Sequence, residues 1–418
     1  MRISTKVLSV ALSLSMVFLL GLPADLFSQE RDLRAERVVV DDDNGNTILI
    51  QAPATGMTGS WTFTLPAAPP AGSGEVLTSG AGGSFSWQTP AGGGGSIPAG
   101  YLILGTTSTV PTGFSAAGTL KSDFWTTQGA MTTARRGAAS AVVNNKIYVI
   151  GGGDGNTALA TNQEYDPATN TWANKAAMTA ARVWVTAAVV NNRIYVFGGS
   201  AAAGNYNTAI ATNQEYDPAT NTWANKAAMP TARMLARAAA VNNKIYVMGG
   251  WTGAADVTTN DEYDPATNTW AGKAAMPTIR DGFAIGAINN KIYVAGGIET
   301  TTIVGTTSEY DPATNTWANK AAMLTPIWTG GGAVLNNKLY VVGGVNGSTN
   351  LAVNQAYDPA TNLWTNEVSM VTPRRQLTAQ AVSGKLYAIG GTSGGDFGPG
   401  LSVNEEFTPR TFFLFIKN

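Results

Sequence analysis

The chain has 418 residues, a formal net charge of −1, and 0 cysteines and 0 histidines. That balance supplies no strong field to hold nucleic acid or an anionic membrane surface. The missing residue types exclude disulfides, thiolate nucleophiles, histidine triads and the usual zinc and copper ligands, so no metal or cofactor is expected and any catalysis would rest on carboxylate, Lys, Tyr or Arg groups.

Residues 1–28 read as a secretory signal peptide. Arg2 and Lys6 precede the apolar run Val7–Leu22, and Pro23-Ala24 and Phe27-Ser28 offer imperfect cleavage points. The alternative is a membrane anchor, for which the run is short and interrupted by serines. Secretion is the expectation, with no span left after cleavage; periplasm, cell surface and release stay open. Residues 29–90 form a β-rich, stalk-like region. Val38-Val39-Val40 and Thr47–Ile50 flank the turn pair Asn44-Gly45, and short aromatic strands are expected at Trp61–Leu65 and Ser84–Trp87. Asp41–Asn46 reads as an acidic turn, since its glycine falls one place early for a calcium loop. A homo-oligomer through this region is possible.

Residues 91–97 are a glycine-rich linker. Residues 98–121 hold Pro98–Gly105 and Pro111–Phe114. The tail 411–418 contains Phe412-Phe413-Leu414-Phe415-Ile416, too apolar to leave in water, and is expected to pair with Tyr101–Leu104.

Between these flanks, residues 122–410 repeat one block. The glycine pairs Gly151-Gly152, Gly198-Gly199, Gly249-Gly250, Gly296-Gly297, Gly343-Gly344 and Gly390-Gly391 recur with spacings of 47, 51, 47, 47 and 47 residues. Between them, Tyr165, Tyr216, Tyr263, Tyr310 and Tyr357 are each followed seven residues later by Trp172, Trp223, Trp270, Trp317 and Trp364. A period near 47 with these signatures indicates a radial β architecture. Each unit reads as four strands, a to d. Asn-Asn closes a to b as a primed turn, and Asp-Pro turns c to d. The paired glycines sit where backbones of neighbouring units approach.

In combination these marks resemble the kelch repeat, over about two-thirds of the chain. The resemblance implies an all-β fold: a six-bladed β-propeller in which an N-terminal d strand at Asp123-Phe124-Trp125 completes the last blade. The flanks resemble, more weakly, phage tail-fibre stalk and tail-collar modules.

The a–b and c–d turns barely change from copy to copy, whereas the b–c loops and d–a crossovers vary, so the latter face is the candidate for binding. Just past the crossovers it carries Arg136, Trp184, Asp281, Trp328 and Arg375. Its loops add Asp154, Tyr206, Trp251, Asp256, Glu299, Asp396 and Phe397. Aromatic rings with charges suit a protein or glycan ligand. Arg135, Arg182, Arg233, Arg280 and Arg374 recur with one gap, at Ile327; Glu164, Glu215, Glu262, Glu309 and Glu406 recur with one gap, at Ala356. Both gaps fall in the fifth unit, which raises the expectation that each Arg and Glu support one another. Among enzymes, copper radical oxidases need histidine. The six-bladed periplasmic sialic acid mutarotases (N-acetylneuraminate epimerases) are the nearer comparison, but no catalytic residue can be carried over. The leading expectation is a non-enzymatic interaction module; a sugar-active enzyme and an architectural part of a surface fibre are the alternatives.

Overall fold

The computed structural model describes residues 37–41, 47–51, 76–79, 85–88, 102–105, 114–121, 123–155, 157–409 and 411–417. The signal segment, the Asp42–Asn46 turn, Trp61–Leu65 and the glycine linker lie outside these residues. Contacts divide the chain into two units, one of residues 125–408 and one of residues 1–124 with 409–418.

The second of these contains one seven-stranded sheet, in the order 85–88, 76–79, 47–51, 37–41, 102–105, 411–417, 114–121. The two strands flanking Asn44-Gly45 pair antiparallel, Val39 opposite Leu49. The apolar tail strand Thr411–Lys417 sits between two partners, with Phe415 opposite Ile103 on one side and opposite Ala116 on the other. Its backbone groups are thereby satisfied on both edges.

The larger unit is a six-bladed β-propeller. Strands a to d are Ala139–Val143, Lys146–Ile150, Asn162–Asp166 and Thr171–Lys175 in blade one, and the pattern repeats through blade five. Blade six takes a to c from Thr378–Val382, Lys385–Ile389 and Asn404–Thr408, with Phe124–Thr127 as its fourth strand. The a strands line the axis. The Asn-Asn turns carry positive φ at both residues, for example 51° and 59° at Asn144 and Asn145, as a primed turn requires.

The repeated phrase from Tyr to Trp proves to be a clasp between blades. Within a blade, Tyr263 lies opposite Trp270, with ring centroids 5.0 Å apart. The Trp270 indole donates to Ala227 O of the preceding blade at 2.9 Å. Asn268, at φ 56°, accepts from the Tyr263 hydroxyl at 2.7 Å and from Ala227 N at 2.8 Å. The strand-b tyrosine of each blade meets the strand-c aromatic of the next, and Tyr387 on Tyr165 (5.7 Å) joins the sixth blade to the first. Asn268→Ala removes two hydrogen bonds and places a less tolerant residue at positive φ. The expected loss is about 2 kcal/mol, read as a shift in denaturant midpoint at unchanged m value.

The expected Arg–Glu support is overturned. Side chains alternate across a strand, so each buried Arg meets the residue before the repeated Glu. Arg135 reaches Gln163 at 2.8 Å, Arg182 reaches Gln214 at 2.9 Å, Arg233 reaches Asp261 at 2.6 Å and Arg374 reaches Glu405 at 2.9 Å. Arg280, opposite the short Ser308, turns instead toward Glu299 at 3.7 Å. The repeated Glu faces the other side of strand c. Glu262, for instance, accepts from the Tyr246 hydroxyl at 2.6 Å and pairs with Lys273 at 3.1 Å.

Candidate functional site

At the end of the propeller where the b–c loops and d–a crossovers lie, one residue per blade takes a left-handed backbone: Gly137, Trp184, Leu235, Gly282, Thr329 and Gln376, with φ between 53° and 59°. They form a closed ring of backbone hydrogen bonds around the axis. Trp184 N donates to Gly137 O, Leu235 N to Trp184 O, Gly282 N to Leu235 O, Thr329 N to Gly282 O, Gln376 N to Thr329 O and Gly137 N to Gln376 O, at 2.7–3.1 Å. A positive φ at Trp, Leu, Thr and Gln is costly in an isolated chain. Six amide–carbonyl bonds satisfied at once hold it here. These positions recur with the same spacing as the glycine pairs, which is the signal that could have marked them in the sequence.

Side chains from this ring seal the axial mouth. Trp184 is 1% exposed, and its indole occupies the space that a Cβ at Gly137 would need. It packs with Val183, Ala203, Met234 and Leu235, and stacks on Tyr206 at 4.5 Å. Its Nε1 donates to Gln376 Oε1 at 3.1 Å, an oxygen that also accepts from Arg136 Nη1 at 3.1 Å. The Arg136 guanidinium is fully buried, with further bonds to Ala203 O at 2.8 Å and Gly398 O at 2.9 Å, and lies 5.4 Å from the Trp184 ring centroid.

On the other side of the mouth, Trp328 covers Gly282 and donates to Asp281 Oδ1 at 2.6 Å. Asp281 and Asp256 are both buried, and Asp256 Oδ2 accepts from Thr300 N at 2.9 Å. Asp256 Oδ1 finds no donor among the described side chains unless Asp281 carries a proton. Burial, and then the neighbouring Asp256 charge, push the Asp281 carboxyl well above the usual carboxylate range; burial raises Asp256 as well. Two adjacent buried carboxyls cannot both ionise cheaply. The folded state therefore binds more protons than the unfolded chain above the unfolded carboxylate pKa. The pair's contribution to stability is present at low pH and declines as pH rises through the raised folded value. Asp281→Asn keeps the acceptor for Trp328 and supplies a fixed donor. It is expected to raise the melting temperature at about pH 8 and leave it little changed at about pH 4; thermal melts across that range check this.

The sequence-derived candidates thus divide. Arg136, Trp184 and Asp281 are interior parts of the seal. Trp251, Glu299, Trp328, Arg375 and Asp396 are partly exposed around it, with Arg375 and Asp396 paired at 3.1 Å. Phe397, 43% exposed, is the open aromatic of this rim, 5.1 Å from Tyr206. Trp184 also stands one register position later than the other crossover residues, which is why it lies on the ring. Leu235, Gln376 and Gly282 were not anticipated. Among the described residues no group of three or more acidic, Cys or His side chains could hold a metal ion, and no helix is long and apolar enough to cross a membrane.

Residues 174–326 match the KLHDC2/KLHL20/DRC7 Kelch-repeats domain, and residues 134–179 and 330–371 match the Kelch motif. These residues form a kelch-repeat β-propeller. Kelch-like protein 24 of Rattus norvegicus and of Mus musculus are each 55% identical to this chain over 114 residues, a stretch covering 27% of this chain and 18% of each relative. The match therefore spans less than a fifth of those proteins. The solved structure of YjhT superposes with a TM-score of 0.58 at 17% identity, covering 66% of this chain and 95% of that one, a likeness of fold. A kelch propeller is a scaffold suited to protein interaction.

Proposed function

We propose that the kelch propeller is a non-enzymatic binding module that presents the rim of its sealed mouth to a protein ligand, in a chain exported by its amino-terminal segment. One observation carries the reading. Phe397, Tyr206, Trp251 and Trp328 gather around a single mouth with the charged groups Arg375, Asp396 and Glu299, on loops that are free of the repeat. Aromatic anchors beside oriented charges are the composition of a recognition surface. The buried pair Asp281 and Asp256, 4% and 7% exposed, offers a sugar substrate no carboxylate to touch, and the carboxylates within reach at the rim, Glu299 and Asp396, each lie against an arginine.

Peptide and glycan arrays probed with the whole chain, beside Phe397→Ala and Trp251→Ala variants, test this. The expected result is peptide binding weakened by about tenfold or more in the variants. Binding to glycans alone would make the rim lectin-like, and binding indifferent to both substitutions would overturn the rim as the site. Export is checked by fractionating cells that express the tagged chain, and self-association through residues 29–90 by light scattering.

A further inference from the structure

The seal closes one end of the axial channel and leaves the other open. The channel encloses about 320 Å³. Its far end is lined by Val142, Val189, Ala240, Ala287 and Val334, each partly exposed, whereas Trp184, Leu235, Thr329 and Gln376 at the sealed end are all buried. It is therefore a blind pocket, entered from the face of the a–b turns and walled mostly by Ala, Val and Gly.

Its one charged lining residue is Arg237. The a strands of the six blades begin with Ala139, Thr186, Arg237, Ala284, Gly331 and Thr378, so a guanidinium stands where the other blades place small side chains. The repeat does not require it, since two blades carry Ala there. Unlike the buried Arg233, Arg280 and Arg374 of the repeat, Arg237 forms no ion pair among the described residues. Among the described residues its guanidinium makes one hydrogen bond, to Ala236 O at 3.2 Å, and any Asp281 charge acts on it from beyond ion-pair distance. Across the axis, on blades six and one, Ser140, Thr378 and Gln380 form a polar strip: Gln380 Nε2 donates to Ser140 Oγ at 3.0 Å, and the Ser140 and Thr378 hydroxyls bond to each other.

We propose that this blind channel is a second ligand site, binding a small organic monocarboxylate whose carboxylate meets Arg237 and whose apolar body lies along the Ala and Val walls. A planar guanidinium matches a carboxylate through two parallel bonds. A single cation with an acidic pair beyond it favours a monoanion over a dianion. The volume lies at the small end of ligand pockets. Enclosure by the channel wall lowers the Arg237 guanidinium to about 10, so an added anion relieves an unfavourable burial.

Titration calorimetry of the whole chain with butyrate and hexanoate tests the site, with butyramide as the uncharged match and inorganic phosphate as the dianion. Butyrate and hexanoate are expected to bind saturably, and butyramide not to bind. Arg237→Ala, which copies the first and fourth blades and so is expected to fold, should weaken butyrate by about tenfold or more; Arg237→Lys should retain part of the binding. The proposal is overturned if butyrate does not bind, if butyramide binds equally well, if phosphate binds better than the carboxylates, or if Arg237→Ala leaves affinity unchanged. None of these outcomes bears on the rim, since Phe397 and Trp251 lie at the opposite mouth.

Discussion

Replacing Gly249 by Ala is expected to cost about 2–5 kcal/mol, combining left-handed strain with overpacking. The backbone at Gly249 has φ +56°, and an added Cβ would lie 2.5 Å from Arg280 O, 2.7 Å from Phe283 Cε1 and 2.9 Å from Met276 Cε. Arg280 O is not free to withdraw, because it accepts from Gly250 N at 2.9 Å. The substitution must therefore part the third blade from the crossover that leads into the fourth. Gly347→Ala is the control. Its φ is +60°, yet a Cβ there meets nothing within 4 Å, so only the strain of about 1–2 kcal/mol remains. Urea unfolding of the two variants separates conformational strain from blade contact. Equal losses would show that the glycine pair serves φ alone.

Arg233→Ala is expected to lose about 3–5 kcal/mol near neutral pH, because it strands a buried carboxylate. Arg233 is fully buried and Asp261 is 5% exposed, and they meet at 2.6 Å. The guanidinium also bonds Gly249 O at 3.1 Å and Thr259 O at 3.2 Å, tying the ends of strand b and the approach to strand c. Burial already holds Asp261 above the usual carboxylate range, and the Arg233 charge lowers it. Without that charge the folded-state value rises further. The defect should shrink as pH falls and Asp261 takes up a proton, since a raised folded pKa gives stability that is present at low pH and lost as pH rises.

The protein supplies its own compensating design. Blades one and two place Gln163 and Gln214 where blade three has Asp261, so Asp261→Gln should be close to neutral. Blade five has Ile327 with Gln355, and the double replacement Arg233→Ile with Asp261→Gln should recover most of the loss. A double variant as unstable as Arg233→Ala would mean that the carbonyl bonds, and not the stranded charge, carry the effect.

These two sites show how far the sequence reaches. The glycine pairs, the Asn-Asn turns and the Tyr/Trp phrase recur at a fixed spacing, and each is a local demand: a positive φ, a primed turn, an aromatic pair across adjacent strands. Local demands repeated in six copies of the glycine pair and five of the Asn-Asn turn and the Tyr/Trp phrase specify the blade, its four strands and the number of blades. The partner of a buried arginine is a different kind of fact. Arg233 and Asp261 are neighbours because of strand register and side-chain alternation, and the single-residue choice between Asp261 and Glu262 was decided by which face of strand c turns inward.

The candidate site lies further still from local reading. Trp184 and Phe397 are plausible surface aromatics by sequence, yet one is sealed inside and the other stands open. Asp256 and Asp281 come from different blades, and only the closing of the ring brings them together. Arg237 is one arginine among many until the axis of the propeller places it as the one charged group lining the channel. The sequence by itself determined the repeating scaffold, because each of its rules acts within a few residues along the chain or across one strand pair. Tertiary structure alone decided which side chains seal the mouth, which carboxyls are buried side by side and which groups face a cavity, because those depend on six blades meeting around one axis.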